Sequence, residues 1–451
     1  MNSIEALLIT FGDLAWGPWL LILLLGGGIY FIFLSRFLPL RYLSHSLALL
    51  SGKYDQEGPG EITHFQALSS ALAGTIGMGN IAGVAVAITV GGPGAVFWMW
   101  ITAVLGMTTK FFTCTLSVMY RGEDSEGNIQ GGPMYVITEG LGKKYRWLAV
   151  FFCVAGVIGC LPMFQTNQLV QTIRELIFLE QGWIRQDQAT EFNLIAGIVL
   201  AAIVATVIFG GLSRISKVVS RLVPIMSLLY VGVAFYILLM NWSEVPHYLM
   251  LIVTDAFTGM AAAGGAIGTV IATGVRRGAF SNEAGIGTEA MAHGAARTSE
   301  PVSEGLVAML GPIIDTLVIC TATALLILMT GAWQVTDASG VTITSIAFET
   351  ALPGYGSFLL IVCIFFFSIT TIFSYSYYGS KCLGFLIGAE RKHYYNYLII
   401  LMTVVASMLS LDAMVGLIDG AFALMAIPTM TSTIILAPKV MLAARIYFAK
   451  I

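Results

Sequence analysis

The 451-residue chain is expected to fold as an all-α polytopic membrane protein with about 11 transmembrane helices, and three features predict it. Hydrophobic residues make up 57% of the sequence and charged residues only 10%, against roughly 25% charged in a soluble domain. Apolar runs of about 20 residues recur along the chain, each enough to cover a hydrocarbon core of about 30 Å at about 1.5 Å of rise per residue. Two of these runs carry glycine clusters in their middle, where each Gly costs roughly 1 kcal/mol relative to Ala, so a cluster predicts local unwinding. The formal charge of −3 says less than where the charges lie.

Taken in order, the candidate spans are 14–37, 65–90, 93–119, 147–173, 194–212, 218–240, 250–275, 305–330, 356–386, 395–410 and 413–447, the last with a bend near Pro428. The loops after spans 1, 3, 5, 7 and 9, together with the C-terminus, hold nineteen of the 22 basic residues, Arg121, Arg276, Arg277, Lys381 and Lys392 among them. The positive-inside rule makes that side cytoplasmic, with the N-terminus outside. Arg174 and Arg185 lie on the other side. Lys110 falls near the inner end of span 3, where a long side chain is expected to snorkel, and Asp255 near the outer end of span 7 is expected at the interface. The first fifteen residues lack a basic stretch followed by a short apolar core, so no removable signal is expected. Cys114, Cys153, Cys160, Cys320, Cys363 and Cys382 all sit in apolar segments without a CxxC; they read as packing residues.

The run AGTIGMGNIAG, Ala73 to Gly83, breaks span 2. Unwound backbone at membrane depth is tolerated only where protein or a water-filled cavity satisfies the freed N–H and C=O groups. Span 7 carries a second cluster at Gly264, Gly265 and Gly268. The two lie five spans apart, an odd number, so the broken spans cross in opposite directions and each can open a five-helix unit of inverted topology. The units implied are residues 65–241 and 242–451, with 1–64 an added helix and loop. Small-residue helix packing is the competing explanation, since Gly79 and Gly83 also satisfy GxxxG. A half-helix N-terminus suits a carboxylate, and freed carbonyls suit Na+ or an ammonium, which together describe a zwitterion and a cation. Thr370 and Thr371 offer two further hydroxyl oxygens, although a membrane Thr more often bonds its own i−4 carbonyl.

AGTIGMGNIAGVAVAI with GGPGAVFWMW, QGGPMY at Gln130 to Tyr135, GVRRGAFSNEAGIG at Gly274 to Gly287 and SYYG at Ser376 to Gly379 together resemble the alanine or glycine:cation symporter family. The resemblance implies a leucine-transporter-like fold of two inverted five-helix repeats, spans 2–6 and 7–11, after one added helix. It implies uptake of a small neutral amino acid, alanine or glycine, driven by Na+ or, in some relatives, H+. Carried over by position, the Thr75 carbonyl would meet the substrate amine, the N–H groups of Met78 and Gly79 its carboxylate, and Asn80 would add an amide. Gln165, Gly264, Gly265 and Tyr375 complete the expected substrate contacts. The carbonyls of Ala73 and Ile76 with Thr370 and Thr371 would hold Na+. The chain departs from the family pattern at Ala266, Tyr375 and Thr113, where an aromatic ring, a Trp and a Glu are common. A pocket enlarged in this way would fit a longer neutral side chain, glutamine or serine.

Asp315, near mid-depth of span 8, is a functional candidate by default; it is the first candidate carrier if the coupling ion is H+. Glu283, placed in a cytoplasmic segment with Arg276 and Arg277, is a candidate inner gate. No cofactor, nucleic-acid partner or obligate protein partner is expected, and the setting is the plasma (inner) membrane. A channel would show a repeated filter or charged ring, and an enzyme a convergent nucleophile, base or metal cluster; the five histidines, widely spaced in sequence, offer neither.

Overall fold

The computed structural model describes residues 3–54, 58–258, 267–335, 338, 340–409 and 411–450. Among them the chain is almost wholly helical, with a single two-stranded turn pairing Gly122–Glu123 to Ile129–Gln130. Helix α1 (Ser3–Ala15) leads into α2 (Pro18–Ser35). The second span is bent by 54° into α3 (His64–Thr75) and a π-type turn, Gly79–Gly83, that continues as α4 (Val84–Gly91). α5 (Ala95–Met119) returns, followed by α6 (Arg146–Gly159) with α7 (Met163–Ile173), then α8 (Ala189–Ile208) and α9 (Gly211–Met240). The second half comprises α10 (Val245–Thr258), α11 (Ile267–Asn282), α12 (Thr288–His293), α13 (Pro301–Ala308), a π-type turn at Ile313–Cys320, α14 (Thr321–Met329), α15 (Val341–Ala351), α16 (Gly356–Ile387), α17 (Tyr394–Ala406) and α18 (Leu411–Phe448).

Local sequence explains the key boundaries. α3 starts at a capping box in which the Thr63 hydroxyl accepts from Gln66 N at 3.2 Å and Gln66 Oε1 accepts from Thr63 N at 3.0 Å, two orphan donors satisfied reciprocally. It stops where Ile76 turns extended (ψ 97°). Asp255 is buried, and its Oδ2 accepts from Gly94 N at 2.8 Å. It therefore caps the start of α5 instead of resting at an interface, because an orphan N–H at a helix start draws a carboxylate.

Large apolar side chains such as Ile22, Phe33, Ile195, Leu228, Phe235 and Phe358 face outward, as they do where the solvent is hydrocarbon. Eight helices of the described residues are long and apolar enough to cross a membrane, or nine with the bent pair α3 and α4. The eleven expected spans are therefore not all reproduced. Of the expected span 250–275, the described parts belong to α10 and α11, and 259–266 between them lie outside the described residues. Span 10 appears as α17, whose 13 residues reach only about 20 Å.

The second break expected at Gly264 and Gly265 lies outside the described residues, and the described second half carries a break of its own. It lies after α11, at Glu283–Gly287, where Glu283, Gly285 and Gly287 take φ of 55°, 87° and 102°, a conformation that glycine adopts freely. Arg276 and Arg277 stand on α11 before that break. Arg276 meets Asp13 of α1 at 3.1 Å and Asp419 of α18 at 3.8 Å. Both arginines thus belong to the end of the bundle that carries α1, opposite the end that holds Arg121, Arg297 and Lys381.

Candidate functional site

The unwound stretch between α3 and α4 is held by its own asparagine. Asn80 Oδ1 accepts from Gly77 N at 2.9 Å and Asn80 N donates to Gly77 O at 3.1 Å. The last helical bond before the break, Ile76 N to Leu72 O at 2.7 Å, leaves the carbonyls of Ala73 to Ile76 without helical partners. On the other side, Met78 and Gly79 open a new turn, so their N–H groups have no preceding carbonyl in that turn. α16 lies against the same stretch. A Cβ on Gly77 would stand 2.9 Å from Thr371 Oγ1, and one on Gly74 would stand 3.3 Å from the Tyr378 ring. Ser374 Oγ and Tyr378 OH both donate to Ser70 O, at 2.9 and 3.1 Å.

The Asn80 amide also reaches the opposite half of the molecule. Its Nδ2 donates to Asp315 Oδ1 at 2.7 Å, while Ser281 and Thr316 hydroxyls donate to Asp315 Oδ2 at 2.9 and 2.7 Å. Asp315 is fully buried within a π-type turn, the kind of helix irregularity often found at functional sites. One carboxylate thus joins the first break, the end of α11 and the span Pro301–Met329. Glu283 plays a similar part at the second break: Tyr375 OH donates to its Oε1 at 2.8 Å, and the Thr288 hydroxyl donates to its Oε2. Lys110 is buried on α5 and is the cation felt by both Glu283 and Asp315. It does not snorkel.

Several expected residues converge and others do not. Ala73, Thr75, Ile76, Met78, Gln165, Thr371 and Tyr375 are all buried. The Oε1 of Gln165 on α7 has no hydrogen-bond partner among the described residues, a costly state for a buried acceptor unless something else occupies it. The Thr371 hydroxyl faces the break while donating to Phe367 O at 2.9 Å; that of Thr370 donates to Phe366 O at 2.9 Å and lies 3.5 Å from Met226 Sδ on α9. Asn80 is engaged at both ends of its amide within the protein. Gly264, Gly265 and Ala266 lie outside the described residues. Glu283 is buried and bonded to Tyr375 and Thr288 while Arg276 pairs with Asp13, so the expected Glu283 gate with Arg276 and Arg277 is not formed. Ser281, Thr316 and Lys110 had no expected role at the site. The SNEAG motif and the polar pair Asp315–Thr316 inside an apolar run were the signals for the first two.

A cavity of about 400 Å³ opens beside the break at the α1 end, lined by Asp13, Gly79, Phe164, Gln168, Arg277 and Phe280 among others. At the opposite end, beside a second cavity of about 290 Å³ lined by Glu61, Tyr377 and Lys381 among others, 59–62 and 294–298 are bonded together. Glu61 N donates to Ala295 O at 2.9 Å and Arg297 N to Ile62 O at 2.6 Å. Arg121 spreads its guanidinium over the carbonyls of Gly294, Pro59, Thr298 and Ala296.

A solved transporter, MhsT in complex with L-phenylalanine, superposes with a TM-score of 0.57 at 12% identity, covering 86% of this chain and 98% of that one. The fold is therefore leucine-transporter-like. An uncharacterized transporter of Haemophilus influenzae is 38% identical across 100% of this chain and 97% of its own length. The sodium/alanine symporter AgcS of Methanococcus maripaludis is 37% identical, covering 95% of this chain and 94% of that one. The probable sodium/glutamine symporter GlnT of Bacillus subtilis is 35% identical over 96% and 89%. The family model described as the sodium:alanine symporter family matches residues 1–451, and the chain belongs to that family.

Proposed function

We propose that the protein is a secondary active symporter of the plasma (inner) membrane, N-terminus outside, importing a small neutral amino acid with Na+ by alternating access. Alanine or glycine is the favoured substrate. The observation that carries this reading is the unwound Ile76–Met78 stretch facing Thr371; on α7, Gln165 adds a buried amide oxygen with no partner among the described residues. In it the Thr75 carbonyl and Gln165 Oε1 receive the substrate ammonium, and the Met78 and Gly79 N–H groups receive the carboxylate. Na+ lies between the carbonyls of Ala73 and Ile76 and the hydroxyl of Thr371, with Thr370 as a further oxygen. The backbone of Glu283–Gly287 supplies the second half's contribution, as the inverted repeats 65–241 and 242–451 require. Asn80 and Asp315 act as the tether between the two halves, and Tyr375 lines the site while anchoring Glu283.

The second reading, a longer neutral amino acid such as glutamine, is favoured by the amide side chains Gln168 and Gln171 in the approach cavity and by the name of one relative. H+ in place of Na+ would move the coupling role to Asp315. Initial uptake of labelled alanine into proteoliposomes under an inward Na+ gradient tests both, with unlabelled glycine, serine and glutamine as competitors. The expected result is Na+-dependent uptake blocked best by glycine, with Thr371→Ala raising the Na+ concentration needed by about tenfold, the loss of about 1.4 kcal/mol of ligation. Uptake driven by a pH gradient alone would overturn the Na+ assignment, and stronger block by glutamine than by glycine would move the substrate to the second reading.

A further inference from the structure

The cavity of about 290 Å³ at the basic end carries two unlike charges that do not meet. Lys381, buried on α16, donates to Met291 O of α12 at 3.2 Å and to Tyr377 OH at 3.0 Å. An ammonium has three N–H donors, so one is left over, and a buried charge is costly unless it is paired. Glu61, just before α3, holds this end through its backbone alone, its N–H donating to Ala295 O at 2.9 Å. Its exposed carboxylate makes no hydrogen bond or ion pair among the described residues. The field of Glu61 reaches Lys381, and both side chains line the cavity.

The other charged groups on these walls are spent or peripheral. Asp124 accepts from Glu126 N at 3.0 Å, Asn128 N at 2.9 Å and Gln130 Nε2 at 3.3 Å, which closes its own turn. Lys392 and His393 are exposed just before α17. Ile208, Leu212 and Ile215 add an apolar wall.

The cavity lies on the line that leads down from the first break. α3 packs against α9 and α16, and the start of α9 and the last turns of α16 line the cavity. Along α16, Thr371 faces Gly77, Tyr378 OH donates to Ser70 O of α3 at 3.1 Å, and Lys381 stands about one turn further on. Spacings of seven and three keep these residues on one side of the helix. The ten residues from Thr371 to Lys381 cover about 15 Å.

We propose that this cavity is a release subsite for the transported amino acid, whose carboxylate rests on the remaining Lys381 N–H and whose ammonium rests on the Glu61 carboxylate. It deepens the symporter reading and rests on it. A zwitterion leaving the break when α3 parts from α12 meets a cation and an anion held apart, and each end gains a charge-assisted bond. Both contacts go to groups that every α-amino acid carries. The choice of side chain is therefore left to the break, and the subsite acts from the cytoplasmic face alone.

The test is alanine transport by the full chain in proteoliposomes of one orientation, with KM measured for alanine on each face in turn. Glu61→Gln removes the carboxylate and leaves the backbone bond to Ala295. The expected result is a KM about tenfold higher on the basic face, as for the loss of one charge-assisted contact, and an unchanged KM on the other. Glu61→Asp, which keeps the charge, should hold the wild-type value. An unshifted KM on the basic face, or an equal rise on both faces, overturns the subsite. Should Glu61→Gln fail to fold, Lys381→Met decides by the same sidedness: a rise on the basic face alone supports the subsite, and no rise overturns it. Na+-driven uptake with an unshifted basic-face KM sinks the subsite and leaves the symporter reading standing. A wild type without Na+-driven alanine uptake removes both.

Discussion

Asp315 is where the two halves of the molecule are joined by single atoms. Three donors, Asn80 Nδ2, Ser281 Oγ and Thr316 Oγ1, end on its two oxygens. Asp315→Ala would remove the carboxylate acceptor from all three, leaving Asn80 Nδ2 its bond to the residue-315 carbonyl at 3.2 Å and Ser281 only the weak acceptor Cys320 Sγ at 3.4 Å, at about 1–3 kcal/mol for each donor left without a partner. The expected outcome is at least a tenfold loss of initial uptake rate together with a lowered midpoint of thermal unfolding in detergent; unchanged values in both would show that the hub does not couple the halves. Asp315 stood out in the sequence because a carboxylate in an apolar run must have a partner. Its partners did not, since nothing in GMGN says whether Asn80 turns to a ligand or to another helix. Lys110 misled for the same reason. A lysine near the end of an apolar run commonly reaches water, and only packing reveals that this one lies among Glu283 and Asp315 instead.

The broken spans are the elements that were half legible. The first break was placed correctly because its glycines and Asn80 interrupt one continuous apolar run. The second was expected near Gly264 and Gly265, which lie outside the described residues; the break seen in the described second half falls in SNEAGIG, polar enough to read as a loop. Three residues with positive φ there mark a chain reversal that hydropathy does not report. The close fit of Gly77 to Thr371 gives an element-level prediction. In Gly77→Ala the new Cβ would lie 2.9 Å from Thr371 Oγ1, so that hydroxyl must rotate away from the break. The expected loss is about tenfold or more in apparent Na+ affinity, with little change in unfolding temperature. An unaltered Na+ dependence would separate Thr371 from the ion. Glu283 makes a parallel case: Tyr375→Phe removes one charge-assisted bond, worth about 1.5–3 kcal/mol, and is expected to slow transport more than it alters substrate competition.

For the whole molecule, a cavity opens beside the first break at one end, while at the other 59–62 and 294–298 are stitched together beside a second cavity. Arg121 is the main brace of the stitched end, with donors on four backbone carbonyls. Arg121→Gln retains too few donors to hold them all, and a shift of about 1–3 kcal/mol towards the open form is expected. Faster hydrogen exchange at 293–298 with protection elsewhere unchanged would report it; uniform loosening of the whole chain would point to general destabilisation instead. The class of architecture was legible from composition and run length, and most of the charge asymmetry survives. Arg276 and Arg277 were assigned to the wrong end because topology inferred from runs inherits every misplaced span boundary.

The measurement closest to the central claim is accumulation of labelled alanine in proteoliposomes clamped at about 100 mV, inside negative, with equal Na+ on both sides. One coupled charge gains about 2.3 kcal/mol in that field, enough for roughly 40-fold accumulation. Concentrative uptake approaching that value, and lost when Na+ is replaced by choline, is the predicted result. Alanine that only equilibrates across the membrane, or accumulates equally without Na+, would contradict the account.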